Sequence, residues 1–210
     1  MTQEDGAMAE KSGAKLILAS ASPFRAQLMR NAGLEFVVVR PEIDERAVEA
    51  SLGDSDISGA DLAEILAIAK ARNVSESNPY AVVTGCDQTL NLGDEILHKP
   101  QSIDEVRRRL LQLSGRTHDL NSAICLVSQG ETIWSHVSTC HITFRKLDPG
   151  FVGRYVAEAG DAVLSSVGAY QIEGTGIQLI ERIEGDFFSI MGLPLLALLE
   201  KLREHDLIDH

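Results

Sequence analysis

Leu16-Ile17-Leu18-Ala19-Ser20-Ala21-Ser22-Pro23-Phe24-Arg25 is an apolar run that gives way to small hydroxylated residues, a proline and an arginine. Apolar residues at helical spacing follow, at Leu28, Met29 and Ala32. The order is strand, tight loop, helix. Ser22 is placed to be the N-cap, and Pro23 falls at the first helical position, where its missing N–H costs nothing. A helix N-terminus beside two hydroxyls and a guanidinium can bind an anion. Taken alone, the stretch reads more simply as a capped helix with a surface arginine.

Outward from there, Gly33 is a natural residue just past the helix end, and Phe36–Val39 reads as a buried strand stopped by Pro41. Glu42-Ile43-Asp44-Glu45 offers adjacent acids, as turn chemistry or as metal ligands, and on its own favours the turn. Residues 50–60 read as a loop. Ser58 and Asp61 then open a helix with the stripe Leu62, Ile65, Leu66 and Ala69, on which Lys70 is expected in solvent. Ala81–Thr84 reads as a strand ending at Gly85-Cys86-Asp87-Gln88. An acid at the C-terminal end of a buried strand is suspicious, because ligands bind there in α/β proteins. A hairpin about Gly93-Asp94 delivers His98-Lys99-Pro100.

The second half is equally regular. Ser102–Leu113 is a helix with a Ser102/Glu105 capping box, and its Arg107-Arg108-Arg109 run reads as solvated, since successive helical positions point about 100° apart. Thr117–Val127 and Thr132–Phe144 are two long strands. His136 and His141 fall on opposite faces and cannot share a metal. Asp148–Ala159 is a helix, Gly168–Gly176 a glycine-rich segment, Ile177–Ile183 a strand and Pro194–Glu204 the last helix. The pattern predicts a mixed α/β fold with a cleft between an N-terminal lobe and a lobe built from the middle of the chain.

Of the 210 residues, 44% are hydrophobic and 24% charged, ordinary for a soluble globular protein. No apolar run nears the roughly 20 residues needed to span a bilayer. Residues 1–14 are polar, read as a loose tail and lack the apolar core of a signal peptide. Cys86, Cys125 and Cys140 are far apart with no Cys-x-x-Cys, which fits a reducing cytoplasm and offers no metal site. Cys86 has no activating partner in the pattern and is not expected to be a nucleophile. The net charge of −12 argues against nucleic acid as a partner, though not against a small anion in a local pocket. No P-loop motif is present, and Gly174-Thr175-Gly176 lacks the context of a dinucleotide fingerprint.

Ser20-Ala21-Ser22-Pro23-Phe24-Arg25, Asp44-Glu45, Gly85-Cys86-Asp87-Gln88, Lys99-Pro100, Gly168-Ala169-Tyr170 and Gly192-Leu193-Pro194 occur in one order. That series resembles the Maf family of nucleotide pyrophosphatases, over about Lys15 to Leu199. The resemblance implies one two-lobed domain over 15–210, with an elongated mixed sheet and a deep central cleft, similar to inosine triphosphate pyrophosphatases. It also implies cleavage of a nucleoside triphosphate to monophosphate and pyrophosphate with a divalent cation, Mg²⁺ or Mn²⁺, with Co²⁺ as a further option. On this view Asp87 matches the proton acceptor, and Glu45 with Asp87 holds the metal. Arg25, Lys99 and Lys70 bind phosphates together with Ser20 and Ser22.

Three positions depart from the commoner family pattern: Phe24 in place of arginine, Gln88 in place of threonine and Glu173 in place of glutamine. The trio resembles the subfamily associated with 7-methyl-GTP. The chemistry agrees, because an aromatic face attracts a positively charged methylated guanine, and a carboxylate can accept from N1–H and the 2-amino group together. Two alternatives stay open: a dTTP/UTP pyrophosphatase, and a non-catalytic nucleotide-binding regulator of cell division. The apolar 193–199 segment and the strand around Trp134 fit either a homodimer interface or an ordinary core.

Overall fold

The computed structural model describes residues 15–53 and 57–209, so the expected tail over 1–14 lies outside the described residues. In chain order the elements are β1 (Leu16–Ala19), α1 (Pro23–Asn31), β2 (Val37–Val39), α2 (Glu45–Ser51) and α3 (Gly59–Glu76). There follow β3 (Val82–Leu92), β4 (Glu95–Leu97), α4 (Ile103–Leu113), β5 (Thr117–Ser128), β6 (Glu131–Phe144) and α5 (Pro149–Ala159). Two short 3₁₀ turns, β7 (Ile180–Glu184), α6 (Phe187–Ile190) and α7 (Leu195–Glu204) complete the described chain. One seven-stranded mixed sheet has the order β2-β1-β3-β5-β6-β7, with β4 paired to β3. β1 is parallel to β2 and β3, and the remaining pairings are antiparallel. The mixed α/β expectation holds.

Period-two alternation on the central strands distributes the core. Leu16 and Leu18 of β1 face α1 and α7, in a cluster with Met29, Cys86, Leu193 and Leu198. Ile17 and Ala19 face α3, among Ala63, Ala67, Ala71 and Val83. A third cluster gathers Leu90, Leu110, Ile142, Phe144 and Val152 under α4 and α5. Leu193, Leu195 and Leu198 are core, which gives the apolar 193–199 segment an ordinary role, although Leu196 is exposed.

Two caps form as the sequence implied: Ser22 Oγ accepts from Arg25 N, and Ser58 and Asp61 close a capping box. At α4 the expected box is half made, Ser102 Oγ accepting from Glu105 N while the Glu105 carboxylate accepts from Gln101 N. Four expectations change. Val37 and Val38 are exposed, because β2 is an edge strand supported only by β1. The acidic turn at 42–45 instead starts a helix: Asp44 caps α2, which runs into the stretch read as loop. The strand read at 177–183 begins only at Ile180, after a 3₁₀ turn. β3 does not stop at Thr84 but runs on to Leu92, so Asp87 lies mid-strand.

That length matters because β3's neighbours on one side are shorter. β1 ends with Ala19 opposite Gly85, and β4 begins its pairing opposite Leu90. Between them, residues 86–89 of β3 have β5 on one side and a gap on the other. Both faces of β3 are reachable from such a gap, and the loops that leave β1 and β4 flank it.

Candidate active site

A cavity of about 470 Å³ opens at this gap. All ten residues named from the sequence line it: Ser20, Ser22, Phe24, Arg25, Glu45, Lys70, Asp87, Gln88, Lys99 and Glu173. Its wall carries four cations, Arg25, Arg40, Lys70 and Lys99, against the carboxylates of Glu45, Asp87 and Glu173. A chain of net charge −12 thus has a locally cation-rich cleft.

Lys70 is buried, contrary to the solvent position expected of it. Its ammonium bridges two carboxylates, donating to Asp87 Oδ1 and lying 2.7 Å from Glu45 Oε1. The reason is close packing two residues back on β3. A Cβ built on Gly85 would come within 2.2 Å of the Ala67 carbonyl and 2.8 Å of the Ala71 Cβ. Glycine there, with alanines on the facing side of α3, lets the helix lie against the strand. Lys70 is then carried over Asp87, and a buried ammonium is stable only with such partners. Burial pushes the Glu45 carboxyl up, but the hydrogen bond and charge of Lys70, with Lys99 and Arg25 beyond, hold it below the ordinary carboxylate value.

Arg25 is used differently. Its Nε donates to the Gly192 carbonyl (2.8 Å), and one terminal nitrogen donates to the Cys86 carbonyl (2.8 Å) and to Ser20 Oγ (3.3 Å). It pins the first helix to the β3 gap and to the 192 turn, and has no ion pair with Glu173 among the described residues. Ser20 Oγ also accepts from Ser22 N, so Ser20 and Ser22 act as acceptors and keep their hydroxyl hydrogens to donate. In the first turn of α1 Pro23 has no N–H and that of Arg25 goes to Ser22, which leaves the Phe24 N–H without a partner among the described residues.

Gln88, the next residue along β3, faces the other side of the sheet. Its Nε2 lies 2.8 Å from Ser122 Oγ, 3.2 Å from the Ser189 carbonyl and 3.0 Å from the Ile190 carbonyl. Phe24, Lys99 and Glu173 line the cavity without a side-chain hydrogen bond or ion pair among the described residues. Cys86 is no nucleophile: burial pushes its thiol up to about 11, the Arg25 and Lys70 charges notwithstanding.

Several residues were missed from the sequence. Arg40 follows β2 and so lies at the C-terminal end of a parallel strand, a signal that was available. Arg109, read as solvated, instead donates to the His98 carbonyl (3.0 Å) and the Val167 carbonyl (2.8 Å). It ties the loop bearing Lys99 to the loop leading to Glu173. Tyr170 lines the cavity and is anchored through its hydroxyl to His118 Nε2 at 2.9 Å, with Phe144 edge-on to both rings.

The profile of the Maf-like protein family matches residues 15–205. The chain belongs to the Maf family. A relative from Brucella abortus biovar 1 (strain 9-941), named 7-methyl-GTP pyrophosphatase, is 60% identical over 195 residues, covering 93% of this Maf chain and 98% of its own length. Relatives with the same name from Mesorhizobium japonicum and Bartonella henselae are 58% and 50% identical, over 93% and 92% of this chain and 98% and 97% of their own lengths. Among the described residues of this Maf protein, no helix is long and apolar enough to cross a membrane.

Proposed function

We propose that this chain is a nucleotide pyrophosphatase that hydrolyses 7-methyl-GTP to 7-methyl-GMP and pyrophosphate. The names of its Maf relatives support the activity. The observation that carries the mechanism is the Lys70 bridge between Asp87 and Glu45, inside a cavity that Phe24, Gln88 and Glu173 also line.

Water attacks the α-phosphorus, the bond from that phosphorus to the bridging oxygen breaks, and pyrophosphate leaves with the electron pair. The water proton goes to Asp87. Lys70 occupies Oδ1 of this carboxylate, so Oδ2 is the oxygen with lone pairs free to take it. Arg25, Lys99, the Phe24 N–H and the Ser20 and Ser22 hydroxyls bind phosphate oxygens and steady the charge that builds on the leaving group. Glu45 likewise spends only Oε1 on Lys70.

The carboxylate oxygens that Lys70 leaves free on Glu45 and Asp87 are hard donors, which fit a divalent ion such as Mg²⁺ that takes one or two carboxylates and fills its shell with water and phosphate. Held by Glu45 and Asp87, such an ion would supply further neutralisation of phosphate charge. At the base, Phe24 offers a face to the cationic 7-methylguanine, and Glu173 accepts from its N–H edge. The three free, buried cysteines accord with a reducing cytoplasm.

The test is pyrophosphate release with Mg²⁺ from 7-methyl-GTP, GTP, UTP and dTTP. Preference for 7-methyl-GTP is the expected result. Preference for UTP or dTTP would overturn the base assignment and leave the pyrophosphatase standing, and no turnover would overturn both.

A further inference from the structure

The Gln88 side chain can be oriented from its partners alone. Two of the three atoms around Nε2 are backbone carbonyl oxygens, of Ser189 and Ile190, which can only accept. The third, Ser122 Oγ, uses its own hydrogen on the Ser189 carbonyl and so also faces Gln88 as an acceptor. Nε2 has two hydrogens for these three acceptors; the nearest, Ser122 Oγ and the Ile190 carbonyl, take them, the Ser189 carbonyl being already engaged by Ser122, and a flipped amide would set Oε1 against acceptors only. Oε1 is therefore the polar atom that Gln88 turns to the cavity it lines, and it has no partner among the described residues.

The carbonyls are themselves fixed. Asp186 caps α6, its Oδ2 accepting from Ser189 N at 2.8 Å and Ser189 Oγ at 2.7 Å. Ser122 lies directly opposite Gln88 on β5 and is fully buried. The chain Asp186–Ser189–Ser122–Gln88 is thus closed at every link.

We propose that Ser122 is a positioning residue for substrate selection: it holds the Gln88 amide so that Oε1 presents a single acceptor to the base, which must offer it an N–H donor. The inference deepens the 7-methyl-GTP reading and rests on it for the identity of the base. Guanine meets the requirement with N1–H and the 2-amino group. The acceptor at Gln88 and the carboxylate at Glu173 then read one donor edge from two elements. Ser122 is not among the residues that line the cavity and acts through Gln88 alone.

A double-mutant cycle tests this on the full chain. The dissociation constants of 7-methyl-GMP and UMP are measured for wild type, Ser122→Ala, Gln88→Ala and the double variant, together with KM and kcat for the triphosphate that turns over best. Losing one hydrogen bond to an oriented amide weakens binding on the order of five- to tenfold. Ser122→Ala is expected to raise the dissociation constant and KM by that factor, with kcat within about threefold, because the base is remote from the reacting phosphorus. In the Gln88→Ala background the same substitution is expected to change nothing. Equal effects of Ser122→Ala in both backgrounds, or no effect in either, overturn the proposal, and the melting temperature separates a general loss of fold from lost positioning. Tighter wild-type binding of UMP than of 7-methyl-GMP would overturn the guanine reading instead, and the cycle on UMP would still decide the role of Ser122.

Discussion

Asp87 and Gln88 are adjacent on one strand, yet their surroundings have little in common. Asp87 faces α3 and is held by charge: a buried ammonium, a second carboxylate and further cations across the cavity. Gln88 faces α6 and is held by neutral hydrogen bonds to a hydroxyl and two carbonyls. The charged side is built largely on long regular elements, α3 and β3. The neutral side takes Ser122 from β5 but borrows its two carbonyl partners from a four-residue helix, and is completed by loop residues such as Glu173. The gap in the sheet is what lets both faces open into one cavity. The difference suggests a division of labour, with reaction chemistry on the rigid, charged face and choice of base on the face that side chains and loops can retune.

The division can be broken hardest at Asp87. Asp87→Asn keeps an acceptor for Lys70 and removes the proposed base, so pyrophosphate release is expected to fall on the order of 10³-fold, with a lowered melting temperature because Lys70 keeps only Glu45 as a counter-charge. Packing rather than charge is attacked at Gly85. Gly85→Ala forces α3 off the strand and is expected to destabilise by about 3 kcal/mol, read as a lower urea midpoint, and to slow turnover by displacing Lys70.

A pH effect of similar size is expected at the neutral face. Burial pushes His118 down to about 4, against about 6.5 in an unfolded chain. The unfolded state therefore binds the proton first. Its stability contribution is complete above pH about 6.5 and is lost as the pH falls toward about 4, by up to about 3 kcal/mol. Urea midpoints at pH 7 and pH 4.5 should show that loss, and His118→Phe should remove its share. Smallest is Arg109→Ala, which unties the Lys99 loop from the Val167 loop. It is expected to raise KM several-fold with kcat nearly held, on the order of one or two hydrogen bonds.

What the sequence revealed divides in the same way. Local devices were legible: the Ser22–Pro23 start, the Ser58/Asp61 capping box, the hairpin at Gly93 and the stripe of α4 all depend on residues a few positions apart. Eight of the ten candidate residues were legible in an ordered series of motifs, Lys70 and Glu173 lying outside it, and all ten line one cavity. Their partners were not. Lys70 looks like any surface lysine until Gly85, Ala67 and Ala71 bring α3 against β3. Arg109 differs from Arg107 only in facing two carbonyls supplied by distant loops. Ser122 and Ser189 carry no motif, and their value lies in donor and acceptor geometry between elements, with partners 34 and 67 residues apart in sequence. Three valines look the same at an edge as in the middle of a sheet, so the sequence of β2 alone does not mark it as an edge strand.

The most direct test of the division pairs Asp87→Asn with Gln88→Thr and measures, for each, kcat on 7-methyl-GTP and the dissociation constant of 7-methyl-GMP. Asp87→Asn is expected to lose kcat while binding the monophosphate within about threefold of wild type, and Gln88→Thr to weaken that binding on the order of tenfold while keeping most of kcat. Loss of both quantities together in both variants would contradict the division, and would mean that the two faces of β3 act as one site rather than two.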